Sequence, residues 1–180
     1  MNLNFARRLG ASAVVVGVSA LVVGASSAPA GVQQGEPPTI TGKSVGSVKI
    51  GASYKVLRKK GLVGKIRHGC ELGGPNTRAA KLKSPLKGFV DFTLKDPRKV
   101  TTIMISGGDA QTAKGLGIGS TIDEITAAYP HAKVNHSTDS VFEATFVTVP
   151  KSDGGKFQFA VSTNTGKTTD IGVPNLSVCE

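Results

Sequence analysis

The chain has 180 residues, with 22 Lys and Arg against 12 Asp and Glu, two cysteines, no tryptophan and a net charge of +10. The charge is uneven: residues 31–114 carry 16 basic and 5 acidic side chains, or +11, whereas residues 115–180 carry 4 and 7, or −3. A basic half attracts polyanions or acidic proteins, and the acidic half excludes a protein that coats nucleic acid along its whole surface.

Residues 1–30 read as an export signal, with Arg7 and Arg8 ahead of an apolar run from Ala11 to Ala25 and a small-residue end at Ala28-Pro29-Ala30. The apolar run is about 15 residues, short of the roughly 20 that a membrane-spanning helix needs. Cleavage after Ala30 is expected to leave a secreted chain with no transmembrane anchor. In an exported protein the two cysteines read as a disulfide between Cys70 and Cys179, since neither belongs to a C-x-x-C pair. Residues 31–44, GVQQGEPPTITGKS, have adjacent prolines and no apolar periodicity, so they are predicted to be a flexible linker without core residues.

From there the chain repeats itself. Placing Ile50-Gly51 on Ile118-Gly119 sets an offset of 68 residues, at which Lys65, His68, Thr77, Lys83, Ser84, Phe89, Lys99, Thr101 and Ile103 also meet identical partners. Two tandem units follow, 45–112 and 113–180. In the first, Ser53 is placed to cap a short helix whose Tyr54 and Leu57 face inward, and Gly61 ends it. Gly88 to Leu94 and Val100 to Ser106 alternate as a hairpin around Lys95-Asp96-Pro97-Arg98, with Val90, Phe92, Leu94, Ile103 and Ile105 inward.

In the second unit, Thr121 and Glu124 form a capping box for a helix with Ile122, Ile125 and Tyr129 on one face, and Pro130 stops it. A loop over 131–139 leads to three strands, Phe142 to Val149, Lys156 to Thr163 and Thr168 to Val173. Phe157, Phe159 and Val161 alternate inward, so the gapless offset slips by one residue here and the Phe89–Phe157 match is accidental. All six phenylalanines after the signal are placed in strands. The expected fold class is α+β: two tandem units, each a short helix followed by an antiparallel β-meander.

A Gly-x-[Ser/Thr] entry into a short helix, then a turn and a meander, all repeated, resembles the superfamily of β-lactamase-inhibitory proteins and small outer-membrane-assembly lipoproteins. GIGSTIDEITAAYP in the second unit carries the likeness best, and the pattern covers residues 46–176. Members are mostly non-enzymatic binding modules, so the resemblance implies protein or envelope binding by an exported actinobacterial relative. The disulfide inside each unit and the lipidated cysteine found in that superfamily have no counterpart here.

The glycine run Gly115 to Gly119 lacks the lysine and the spacing of a phosphate loop. His68, His131 and His136 have no zinc-like spacing, and no cofactor or metal is expected. The strongest functional signal is the basic cluster Lys55, Arg58, Lys59, Lys60, Lys65 and Arg67, continued by Arg78, Lys81, Lys83 and Lys87. It points to an acidic protein or an anionic cell-envelope component as partner. Export and the lack of interleaved aromatics argue against nucleic acid. The competing reading is a small secreted hydrolase with His131 or His136 as base.

Overall fold

The computed structural model describes residues 36–71 and 74–177. Short apolar segments close to the N-terminal end of this span pair at once. Strands β1 (Thr39–Ile40), β2 (Ser44–Val45) and β3 (Val48–Lys49) join β8 (Gln111–Thr112) in a sheet of order β3-β2-β1-β8, in which β1 runs parallel to β8. Ile40, Val45, Val48 and Thr112 are buried. The segment expected to be a linker therefore contributes core: Ile40 is 2% exposed, and its strand pairs on both sides.

Helix α1 spans Tyr54–Lys59 and α2 spans Ile122–Ala128. Ser53 has the extended backbone of a cap residue but its side chain makes no capping bond. The Tyr54 N–H, one of the first-turn donors without a partner inside the helix, donates to the Arg98 carbonyl at 2.9 Å, so a tertiary contact satisfies it. Gly61, at φ +71°, adopts the left-handed turn that ends α1. In α2 the capping box forms: Thr121 Oγ1 accepts from the Glu124 N–H, and Glu124 Oε2 accepts from the Thr121 N–H at 2.8 Å. Leu57 and Ile125 are buried, and Tyr54 and Tyr129 meet Phe92 and Phe157 edge-on at 5.4 and 5.7 Å.

The remaining strands are β4 (Arg67–His68), β5 (Arg78–Lys81), β6 (Lys87–Phe92), β7 (Val100–Gly107), β9 (Lys133–Asn135), β10 (Ala144–Pro150), β11 (Lys156–Ser162) and β12 (Thr168–Val173). They form one antiparallel sheet of order β4-β5-β6-β7-β12-β11-β10-β9, which runs outward from its centre in the same way on both sides. At the centre Ile103, Met104 and Ile105 of β7 face Val173, Gly172 and Ile171 of β12. One face of this sheet, with Val90, Phe92, Ile103, Ile105, Val147, Phe157, Phe159 and Val161, packs into the same cluster as Leu57, Ile125 and the small sheet. Full burial of each such aliphatic or aromatic side chain stabilises the fold by about 1.5–3 kcal/mol.

This architecture corrects the expected α+β fold class of tandem helix–meander units. Among the described residues the chain is mostly β, in sheets of four and eight strands, with helices of only six, seven and four residues. The physical reason is twofold. Gly61 and Pro130 stop the helices after two turns, and the meanders share backbone hydrogen bonds across β7 and β12, making one sheet. The expected loop 131–139 contains β9, which pairs with β10. Phe142 lies in the one-turn helix α3 (Asp139–Phe142), 39% exposed, and Leu94 falls beyond the end of β6 and is 54% exposed. No helix among the described residues is long and apolar enough to cross a membrane.

Candidate binding surface

Basic side chains leave the fold on two adjoining sites. Lys55, Arg58, Lys59 and Lys60 project from and just beyond α1, on the side away from buried Leu57, and all four are exposed. Lys65 and Arg67 are exposed on the following stretch and on edge strand β4. None of these six forms an ion pair among the described residues, whose salt bridges are Lys43–Asp153, Arg98–Asp96 and His136–Asp139. Unneutralised like charges raise the local positive potential, which favours an anionic ligand. Arg58 differs from its neighbours, because its Nη1 donates to the Val63 carbonyl at 3.1 Å and so supports the turn after α1.

The second face of the large sheet was not anticipated from the sequence. Register places Lys81, Phe89, Met104, Gly172, Gln158 and Thr148 in one row across six strands. Met104 sits between Ile103 and Ile105 and points away from their core, yet it is only 5% exposed. The cover is the chain after β12. Leu176 N–H donates to Gln158 Oε1 at 2.9 Å and Ser177 N–H to Met104 Sδ at 3.2 Å. Gln158 is itself oriented, since its Nε2 donates to Thr148 Oγ1 at 2.8 Å. Gly172 permits the crossing: a Cβ there would strike the Asn175 carbonyl and the Leu176 nitrogen.

Recesses flank this crossing. One, of about 490 Å³, is lined by Arg67, His68, Lys81, Phe89 and Asp91 among others. The other, of about 330 Å³, is largely apolar, with Phe89, Met104, Phe142, Phe146 and Leu176 in its wall. Phe142 and Phe146 stack there with ring centroids 5.5 Å apart. Arg67 and Lys81 from the basic cluster therefore meet an apolar groove, whereas Lys55, Lys59 and Lys60 stand on α1.

Asp91 lies at the boundary. Burial pushes its carboxyl above the ordinary value of 3.8, partly offset by the hydrogen bond with the Ser177 side chain, and Arg67 and Lys81 are the charged groups on its side of the neighbouring strands. A raised folded-state pKa contributes stability below 3.8 that is lost as pH rises through the folded value. Glu124, Asp139 and Asp153 run the other way, held down chiefly by hydrogen bonds from the Thr121 N–H, the Thr145 hydroxyl and the Gly155 N–H. Asp91→Asn keeps the shape and removes the charge. Urea unfolding of variant and parent should give a stability difference that favours the variant increasingly from about pH 3 to about pH 7; a pH-independent difference would show that Asp91 carries no burial penalty.

The histidines are not brought together. His68 lies between the carbonyls of Gly69 and Pro75, at 3.2 and 3.1 Å, and His131 is exposed. His136 Nδ1 meets Asp139 Oδ2 at 3.0 Å, and Asp139 Oδ1 accepts from the Thr145 hydroxyl. This orients one ring edge, but among the described residues no hydroxyl is hydrogen-bonded to the other nitrogen as a nucleophile would be. No three His, Cys, Asp or Glu side chains among them are grouped to hold a metal ion. Cys70 lines the larger recess; Cys179, its expected partner, lies outside the described residues. No family model, curated protein or solved structure matches the chain.

Proposed function

We propose that the chain is a secreted, non-catalytic binding module whose basic first half contacts an acidic protein or an anionic envelope component. The observation that carries this is the set Lys55, Lys59, Lys60, Lys65 and Arg67, exposed and without an ion pair among the described residues, in a half that holds +11 while the other holds −3. A surface kept only for solubility has no need to segregate its charge in this way. The export-like segment at residues 1–30 supports the extracellular setting, and the resemblance to a superfamily of non-enzymatic binding modules supports a role without catalysis.

Replacement of Lys55, Lys59 and Lys60 by Glu tests it. Arg58 is left intact because its guanidinium holds the Val63 carbonyl. Binding to a polyanion such as heparin, followed by salt titration, should weaken at least ten-fold and lose most of its salt dependence, since each phosphate- or sulfate-type contact releases counterions. Thermal unfolding should shift little, exposed charges off the apolar helix face being worth only about 0–1 kcal/mol each. Unchanged affinity, or parent binding indifferent to salt, would remove the basic surface as the contact site.

A further inference from the structure

The geometry points to the recess beside Phe142 and Phe146 as a binding site for a small organic ammonium ion with an aromatic body, its charge placed at Asp170. The floor is set by register. Phe146 of β10 lies opposite Ala160 of β11, and Ala160 lies opposite Asp170 of β12. Directly opposed residues share a face and neighbouring strands lie about 4.8 Å apart, so a phenyl ring and a carboxylate stand roughly 10 Å apart with only a methyl group between them. That gap belongs to the recess of about 330 Å³, a size that suits a small molecule.

The walls are held in place. Phe142 stacks on Phe146 with the rings 17° from parallel, and it is 39% exposed although apolar. Its position is imposed by Glu143, the only non-glycine residue with a positive φ, +49°, among the described residues. The Glu143 carbonyl accepts from the Thr163 N–H at 2.9 Å and from the Thr163 hydroxyl at 3.0 Å, which secures that left-handed turn. Backbone of this kind persists where its surroundings over-determine it, as they do at ligand clamps. On the far side Leu176 is anchored through its N–H to Gln158 Oε1, and Ser177 through its N–H to Met104 Sδ and its side chain to Asp91. Cys70 is disulfide-bonded, and the one other cysteine of the chain follows Ser177 by two residues, so this wall stays closed.

Asp170 is the one charged side chain lining the recess. It is half-buried, and its carboxylate forms neither an ion pair nor a side-chain hydrogen bond among the described residues. An ammonium group supplies the missing counter-charge, while its aromatic body covers Ala160 and lies against Phe146, whose ring face also attracts cations. An anion is repelled there, and a neutral arene leaves the carboxylate as it was. Phe142, Phe146, Ala160 and Asp170 all belong to the half that carries −3, so the site is independent of the basic surface.

Calorimetry and amide NMR on the full chain test this with phenethylammonium, the uncharged 2-phenylethanol, and ethylammonium, which has the charge without the ring. Phenethylammonium should bind at least ten-fold more tightly than either and should shift the amide signals of Phe146, Ala160 and Asp170. Asp170→Asn should lower its affinity at least ten-fold, to that of 2-phenylethanol. Phe142→Ala should weaken phenethylammonium and 2-phenylethanol alike. Equal affinity of those two probes for the unsubstituted chain, or signal shifts confined to other regions, overturns the site without recourse to a variant. Undiminished binding by Asp170→Asn overturns the assignment of the charge to that carboxylate.

Discussion

Ile125→Asp is expected to abolish cooperative unfolding. The side chain sits in the middle of α2, fully buried in the cluster that joins this helix to the large sheet. Losing the aliphatic group alone costs about 2–5 kcal/mol, as for other Ile and Leu truncations. A carboxylate in its place has no partner, and it either stays charged at a further cost of several kcal/mol or takes up a proton that the solvent must supply. Against a typical total of about 5–15 kcal/mol, the sum leaves little folded chain at neutral pH. Ile125→Val serves as the control and should cost about 0.5–1.5 kcal/mol. Circular dichroism with a thermal ramp distinguishes the two. A sharp transition for Ile125→Asp within a few degrees of the parent would mean that α2 does not anchor the core.

Gly88→Ala should be the next most damaging single change, although it adds only a methyl group. Gly88 has φ +135° at a bulge where the β6–β7 register shifts between Lys87 and Gly88. A side chain there is strained by its backbone alone, at about 1–3 kcal/mol. The added Cβ would also overlap the Met104 carbonyl, at 2.9 Å from its carbon and 3.1 Å from Ile105 Cα. Those atoms belong to β7, near the middle of the eight-stranded sheet, and cannot yield without moving its neighbours. Melting should fall by roughly 2–4 °C per kcal/mol for a chain of this size. Gly51→Ala gives the comparison, because Gly51 has φ +80° but open space around it, and only the backbone strain remains. Equal losses for the two would show that the contact with Met104 is not a constraint.

What the sequence disclosed follows from where local signals and burial coincide. The capping box at Thr121 and Glu124 is a short-range pattern that needs no tertiary knowledge, and it forms as read. Alternation in Phe157, Phe159 and Val161 fixes a buried face because a one-residue slip would expose all three. The one-residue offset at Phe89 was legible for the same reason: Phe89 lines the groove on the opposite face from the core. Long-range pairings were not legible. Thr39–Ile40 is two residues long among prolines and glycines and becomes a strand only because β2 and β8 flank it. Ser53 has cap chemistry, but its side chain makes no capping bond, and the one first-turn N–H held from outside the helix is that of Tyr54, by the distant Arg98 carbonyl. The basic cluster was visible in composition. The groove beside Arg67 and Lys81 was not, because Met104, Gln158 and Leu176 come from three distant stretches and carry no common motif.

The central pairing of β7 with β12 has a consequence for how the chain holds together. Only three residue pairs define that seam, Ile105 with Ile171, Met104 with Gly172 and Ile103 with Val173. Were the peptide chain nicked between β8 and α2, where Ala113, Lys114 and Gly115 are exposed, each fragment would present a bare central edge that invites any other strand. The unbroken loop instead keeps the matching edge at an effective concentration of order millimolar, so correct closure outruns collisions with other molecules. Fidelity of assembly thus resides in a connection that supplies Leu116 to the core but no strand to the seam.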